Sequence, residues 1–177
     1  MQWAPDGRAF YSVSLTSGRK HLLKIAVPSG QTREIYRDLN GGLIFGIAVS
    51  PDGQSLAVNV SDGAEVKLDL VSATDGSTRE LMRRAVADPG HYRLQQWTRD
   101  GRNILLTRRV EKPTVTEELW SVPAAGGPPR SLNLAREVVD YVRVSPDGER
   151  IVFRTGRPYW DLWLMDNILN RRPADRQ

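Results

Sequence analysis

The chain contains no cysteine, so no disulfide or thiolate metal site holds it together. Histidine is almost as scarce. His21 and His91 are the two present, and neither has a further ligand at metal-binding spacing. No apolar run approaches the roughly 18 residues of a membrane span, and no basic, apolar, small-residue leader opens the sequence. This segment is therefore not expected to insert into a membrane. A strong excess of one charge is also missing, with 25 basic residues against 21 acidic ones. Half of the net charge of +4 sits in the last ten residues, which hold three arginines and one aspartate. The rest is interleaved, with no basic stripe to neutralise phosphates, and nucleic acid is not an expected partner.

Recognisable catalytic constellations are lacking too. There is no G-x-S-x-G elbow and no H-E-x-x-H helix. GGLIFG, residues 41–46, lacks the Lys-Ser/Thr end of a phosphate loop and precedes a strand instead of a helix. The sialidase-type Ser-x-Asp-x-Gly-x-Thr-Trp box is absent. The expectation is a chain with no catalytic residue, no metal and no cofactor, and not an enzyme acting alone.

What the chain does contain is a recurring turn. WAPDGRAFYSVS begins at Trp3, VSPDGQSLAVNV at Val49, WTRDGRNILLTR at Trp97 and VSPDGERIVFRT at Val144. The aspartates of the four Asp-Gly pairs, Asp6, Asp52, Asp100 and Asp147, are 46, 48 and 47 residues apart. Pro precedes the Asp in three of them. Pro fixes a turn's first corner, Asp bonds back to the backbone, and Gly takes the left-handed position. These aspartates read as structural.

Each Asp-Gly pair opens a strand, at 9–14, 55–60, 103–108 and 150–155, and a second strand follows at 21–27, 66–71, 119–122 and 161–165. In VKLDLV, Val66, Leu68 and Leu70 share one face while Lys67 and Asp69 share the other. A further glycine turn follows in PSGQTREIY, ATDGSTREL and AAGGPPRSL, leading to a third strand with an arginine. A strand that runs into the next Asp-Gly completes four per repeat. Short connections dictate antiparallel neighbours. A lone four-stranded sheet cannot bury both apolar faces, and radial stacking on the next repeat solves this. The expected fold is an all-β propeller of four-stranded antiparallel blades, with repeats at about 1–43, 44–91, 92–138 and 139–167, and a basic tail at 168–177. A β-sandwich would not require such even spacing. Leu68, Val58, Leu105, Val152, Trp120 and Trp163 are expected to be buried.

The order of strand, W-S-P-D-G-[KR], two strands and G-G-x-x-R-x-L resembles the TolB-type, WD-like propeller repeat. WAPDGR, LDLVSATDGSTREL and ELWSVPAAGGPPRSL carry the resemblance, which extends from Trp3 to about Asn167. Val49 and Val144 stand where Trp3 and Trp97 match the pattern. The first repeat has only the tail of its first strand, and the last lacks the G-G-x-x-R-x-L strand. The resemblance implies the C-terminal part of a larger bacterial propeller protein, or an arc closed by a second copy through its terminal blades. Such propellers serve as periplasmic interaction scaffolds, as sensor modules, or as gating domains of serine peptidases such as tricorn and the prolyl oligopeptidases.

The expected function is a non-catalytic scaffold that binds a protein partner or a small ligand, in the periplasm. The alternative is the propeller portion of a serine peptidase lacking its catalytic domain. Recognition is expected on the rim opposite the Asp-Gly turns, whose loops vary. The candidates for partner contact are Arg83, Arg84, His91, Glu111, Lys112, Arg136 and Arg157, with emphasis on the insertion RRVEKPTVTEE.

Overall fold

A computed structural model describes residues 1–16, 19–38, 41–86, 92–111, 114–156 and, as backbone, 161–166. Among these residues, fifteen strands form four antiparallel sheets. The first sheet holds β1 (Gln2–Trp3), β2 (Ala9–Thr16), β3 (Arg19–Ala26) and β4 (Thr32–Arg37). The second holds β5 (Leu43–Val49), β6 (Ser55–Ser61), β7 (Glu65–Ser72) and β8 (Thr78–Ala85). The third holds β9 (Tyr92–Trp97), β10 (Asn103–Val110), β11 (Thr116–Pro123) and β12 (Arg130–Arg136). The fourth holds β13 (Asp140–Val144), β14 (Arg150–Thr155) and β15 (Asp161–Asp166). Strand order follows chain order in every sheet, so each is a meander. Among the described residues the fourth sheet has three strands, not four.

The repeated turn owes its rigidity to one carboxylate. The Ser50 hydroxyl donates to Asp52 at 2.6 Å, and the Gln54 N–H donates to the same oxygen at 3.0 Å. The Ser50 oxygen in turn accepts from the Ser55 N–H. Thr98 and Asp100 repeat this arrangement, as do Ser145 and Asp147. Ala4 replaces the hydroxyl residue in the first turn, leaving the Arg8 N–H on Asp6. Hydrogen bonds from Ser50 and Gln54 hold the Asp52 carboxyl below its ordinary pKa, and those from Ser145 and Glu149 do the same at Asp147. At Asp100 burial opposes the charge, but the Thr98 hydroxyl and Arg102 N–H outweigh it. The second glycine turns of the first three sheets lie at the same end as the Asp-Gly turns. Val27, Ala73 and Ala124 donate their N–H groups to Arg8, Gln54 and Arg102 across the two turns.

Packing is between sheets. Tyr11, Leu22 and Ile35 meet Ile44, Leu56, Val58 and Val71 between the first and second. Leu68 and Ala57 meet Ile104, Leu106 and Val122 between the second and third. Leu105, Leu119 and Leu134 meet Ile151 and Phe153 between the third and fourth. Leu68, Val58 and Leu105 are buried as expected. Trp120 is half-buried at the edge of the second core, tilted edge-on to Tyr92. Val152 is half-buried, since Ile151 and Phe153 are the residues of β14 that turn toward the third sheet. The side chain of Trp163 lies outside the described residues.

Polar contacts also bridge successive sheets. The guanidinium of Arg33, on β4, donates to the carbonyls of Ala73 (3.2 Å) and Thr74 (2.7 Å) in the turn of the next sheet. Arg79, on β8, does the same to Ala124 (2.5 Å) and Ala125 (3.4 Å) one sheet on. The two arginines occupy the same place in QTREIY and STREL, so the repeat encodes its own latch. At the other end of the same junction, Lys67 is buried against Asp38 of the preceding repeat at 2.7 Å. Asp38 also accepts the Gly42 N–H, and the Tyr36 hydroxyl donates to Asp69 at 2.6 Å. Burial opposes the Lys67 charge, but the bond to Asp38 and the nearby carboxylates outweigh it and raise its pKa.

Gly76 shows how close the sheets come. Its φ is +76°, and a Cβ there would lie 2.3 Å from the Ile35 carbonyl oxygen of the neighbouring sheet. Gly30 holds the same position in the first sheet with φ +71°, and no described atom lies within 4 Å of its Cβ site. Gly76→Ala is expected to cost about 3 kcal/mol or more, and Gly30→Ala about 1 kcal/mol, the price of φ alone. Urea denaturation of both variants checks the difference.

A second expectation concerns acid. Asp52, Asp100 and Asp147 have folded pKa values below the unfolded value of about 4. Their contribution is complete above that value and is lost as the pH falls through the lower folded values. Stability should therefore decline below about pH 4, and Thr98→Ala should flatten that decline when urea midpoints are measured across pH.

Candidate functional site

The first strands of the sheets, β1, β5, β9 and β13, lie side by side, each against the next. Each is the edge strand of its own sheet. Together they wall a cleft containing two cavities. The larger, about 620 Å³, lies toward the rim opposite the Asp-Gly turns, and the smaller, about 400 Å³, lies at the turn end. Gly46 permits this closeness, because a Cβ there would sit 3.3 Å from the Leu94 Cβ of β9.

Irregular pairing aims side chains into the larger cavity. Pairing between β5 and β6 shifts between Ile44 and Gly46, which leaves Phe45 as the extra residue. In β9 the partners of Leu105 and Leu106 are Gln96 and Leu94, so Gln95 is extra. In β13 the shift falls between Asp140 and Arg143. Bulges of this kind redirect side chains and are frequent beside functional sites. Phe45 and Tyr141 line the cavity and remain 48% and 57% exposed. Gln95 ties the strands together. Its side-chain amide donates to Thr107 at 3.1 Å, and its oxygen accepts the Val142 N–H at 3.3 Å.

Tyr141 is held in an unusual conformation. Its φ is +51°, a region aromatic residues rarely enter. The Arg154 guanidinium lies 4.2 Å from the centre of its ring and donates to Asp140 at 2.9 Å. A strained aromatic residue exposed in a cavity is the kind of outlier from which a functional role can be argued. Arg93, Arg109 and Arg143 add positive charge to the same lining, where Asp140 is the one carboxylate among the described residues. Among the described residues no group of three His, Cys, Asp or Glu side chains is arranged to hold a metal.

The residues expected from the sequence at the partner surface do not converge here. Arg83 is bound by Glu65 and Glu80 on its own sheet, at 2.5 and 2.6 Å. Arg84 lies over the Tyr92 ring, 5.7 Å from its centre. Glu111 is 3.8 Å from Arg109, and Arg136 donates to the Ala135 carbonyl beside it. None of these four lines the larger cavity, although Arg109, from the expected insertion, does. His91, Lys112 and Arg157 lie outside the described residues. Sequence reasoning does not single out Phe45, Tyr141, Arg93 or Arg143. The signal it offers is the broken alternation in LIFGIAV and DYVRV, which does not name the extra residue.

The chain's relatives bear on this geometry. Over 79 residues it is 35% identical to the Tol-Pal system protein TolB of Anaeromyxobacter dehalogenans strain 2CP-C, a stretch covering 45% of this chain and 18% of that protein. The crystal structure of TolB from Acinetobacter baumannii superposes with a TM-score of 0.75 at 16% identity, over 94% of this chain and 40% of that one. The chain is similar to TolB in sequence over less than half of its length and in fold over most of it. Its four sheets are therefore blades, although it spans less than half the length of these relatives. A prolyl endopeptidase structure is also similar, with a TM-score of 0.62 and 15% identity, over all of this chain and 28% of that one. No family model matches the chain.

If the Tyr141 conformation is kept for its position in the cleft, relieving it should not harm the fold. Tyr141→Gly is expected to change stability by less than about 1 kcal/mol, because relief of φ strain offsets the lost Arg154 contact. Thermal unfolding checks this, and a loss of several degrees would show that Tyr141 serves the fold.

Proposed function

We propose that the chain is a non-catalytic blade scaffold whose axial cleft receives an extended segment of a protein partner. The observation that carries the reading is the cleft itself. Its walls are edge strands, and the edge of a sheet is suited to an extended chain. Phe45 and Tyr141 offer apolar contact surface, while Arg93, Arg109 and Arg143 favour a segment that carries carboxylates. The family supports the same reading, since the TolB relative is named for the Tol-Pal system. On that basis we place the chain in a periplasmic assembly of that type, with the rim loops near Glu111 and Arg136 as outer contacts.

The likeness to prolyl endopeptidase supports the gating-domain reading less well. It is weaker than the likeness to TolB, and at this identity it concerns the fold alone.

The test is selection of linear peptides rich in Asp and Glu from a displayed library against the purified chain. Selected peptides should bind the paired variant Phe45→Ser, Tyr141→Ser at least tenfold more weakly, equivalent to about 1.4 kcal/mol. The same preparation should turn over no ester, peptide or phosphoester substrate. Peptides that bind the paired variant equally well, or hydrolysis that persists through purification, would refute the reading.

A further inference from the structure

We infer that the smaller cavity, at the turn end of the cleft, is a binding site for a small dianion, a phosphate monoester or a dicarboxylate, held by Arg99 and Arg143. The inference stands apart from the extended segment proposed for the larger cavity.

Arg99 departs from its own repeat. Pro5, Pro51 and Pro146 hold the place just ahead of the turn aspartate in the other three turns. The fold uses that place for packing on the next turn. Pro5 comes within 3.3 Å of the Cβ site of Gly53, and Pro51 within 3.8 Å of that of Gly101. Arg99 makes the same contact with its stem, whose Cβ and Cγ lie 3.3 and 3.8 Å from the Cβ site of Gly148. A proline would do this and also fix the first corner of the turn. The guanidinium is therefore surplus to the packing. Arg99 is exposed and lines the smaller cavity. It also borders a neighbouring cavity with Asp100, Asp147 and Glu149, but among the described residues no ion pair joins it to any of them. The hydroxyls of Thr98 and Ser145 already hold the first two of those carboxylates within their own turns.

Arg143 supplies the second cation. Four residues ahead of each turn aspartate stand Gln2, Ala48, Gln96 and Arg143, and all four line this cavity. One N–H of Arg143 donates to the Val142 carbonyl at 2.8 Å, and the rest of its fork is left for a ligand. Among the described residues no aspartate or glutamate lines the smaller cavity, whereas Asp140 lines the larger one. Two guanidinium groups beside side-chain amides, with no carboxylate to balance them, suit an anion that has several acceptor oxygens. Two negative charges match the two positive ones. A volume of about 400 Å³ suits a small molecule better than a folded partner.

The experiment is isothermal titration calorimetry of the full chain with glycerol 3-phosphate and, separately, with succinate, at constant ionic strength. At least one of the two should bind saturably, and which one does separates the phosphate from the dicarboxylate. Arg99→Pro, which restores the residue of the other three turns, should weaken that binding about tenfold or more. Arg99→Gln repeats the test without the proline ring, and Arg143→Gln should weaken binding by a similar factor. Arg102→Ser removes a charge from the same turn outside the cavity and should leave the affinity unchanged. Acidic peptides selected against the larger cavity should still bind Arg99→Pro, so that failure of one site does not mimic failure of the other. Absence of saturable binding of both probes would overturn the proposal. So would unchanged affinity in both Arg99 variants, or an equal loss in Arg102→Ser, which would reduce the effect to net charge.

Discussion

A four-stranded sheet with two apolar faces is unstable until something covers both, and here each sheet covers the next. The three cores lie between sheets, not within them. Every junction therefore depends on how accurately two sheets meet. Apolar burial supplies the drive but little direction, since area does not distinguish one rotation from another. Direction comes from Arg33 and Arg79, each bound to two carbonyls of a neighbouring turn. A guanidinium with a fixed fork of donors accepts few arrangements of those oxygens. Gly76 shows the tolerance, since a single methyl group would collide with the backbone opposite.

The latch can act only if its target turn is rigid, and that ties it to the Asp-Gly repeat. The carboxylates of Asp52, Asp100 and Asp147 lock one turn, and the N–H groups of Ala73 and Ala124 bind the latched turn to it. The buried Lys67–Asp38 pair contributes differently. Replacing such a pair with apolar residues is often harmless, whereas removing one member is costly. Its clearest role is to fix the crossover after β4, where Asp38 also holds the Gly42 N–H.

Much of this was legible in the sequence, because the repeat states it four times. The Asp-Gly spacing located the turns, and the alternation of VKLDLV assigned Leu68 to a buried face and Lys67 to the opposite one. That opposite face also proved to be buried, which alternation does not reveal when both sides of a strand meet another sheet. Arg33 and Arg79 were visible as a recurring arginine, but their role depends on a turn 40 or more residues away. The site was less legible. Arg83 reads as an exposed cation in a variable loop, yet Glu65 from the facing strand and Glu80 from its own neutralise it. Tyr141 reads as an ordinary strand residue, because a bulge is a property of two paired strands and is encoded in neither alone.

The two ends of each sheet consequently carry different burdens. Turn-side positions repeat closely, and the glycine turns of the second and third sheets each receive an arginine of the preceding sheet, which leaves little freedom for recognition at those turns. Toward the opposite rim the contacts between sheets differ from junction to junction, Lys67–Asp38 at the first and Glu117 on the Val139 N–H at the third, and the inner strands bulge toward the cleft. Phe45 and Tyr141 lie on that side, and Tyr141 holds there a positive φ that the turn end reserves for glycine. Strain is tolerated where the scaffold does not depend on it. The place where this chain can vary its chemistry is therefore set by the same arginine contacts that hold its sheets in line.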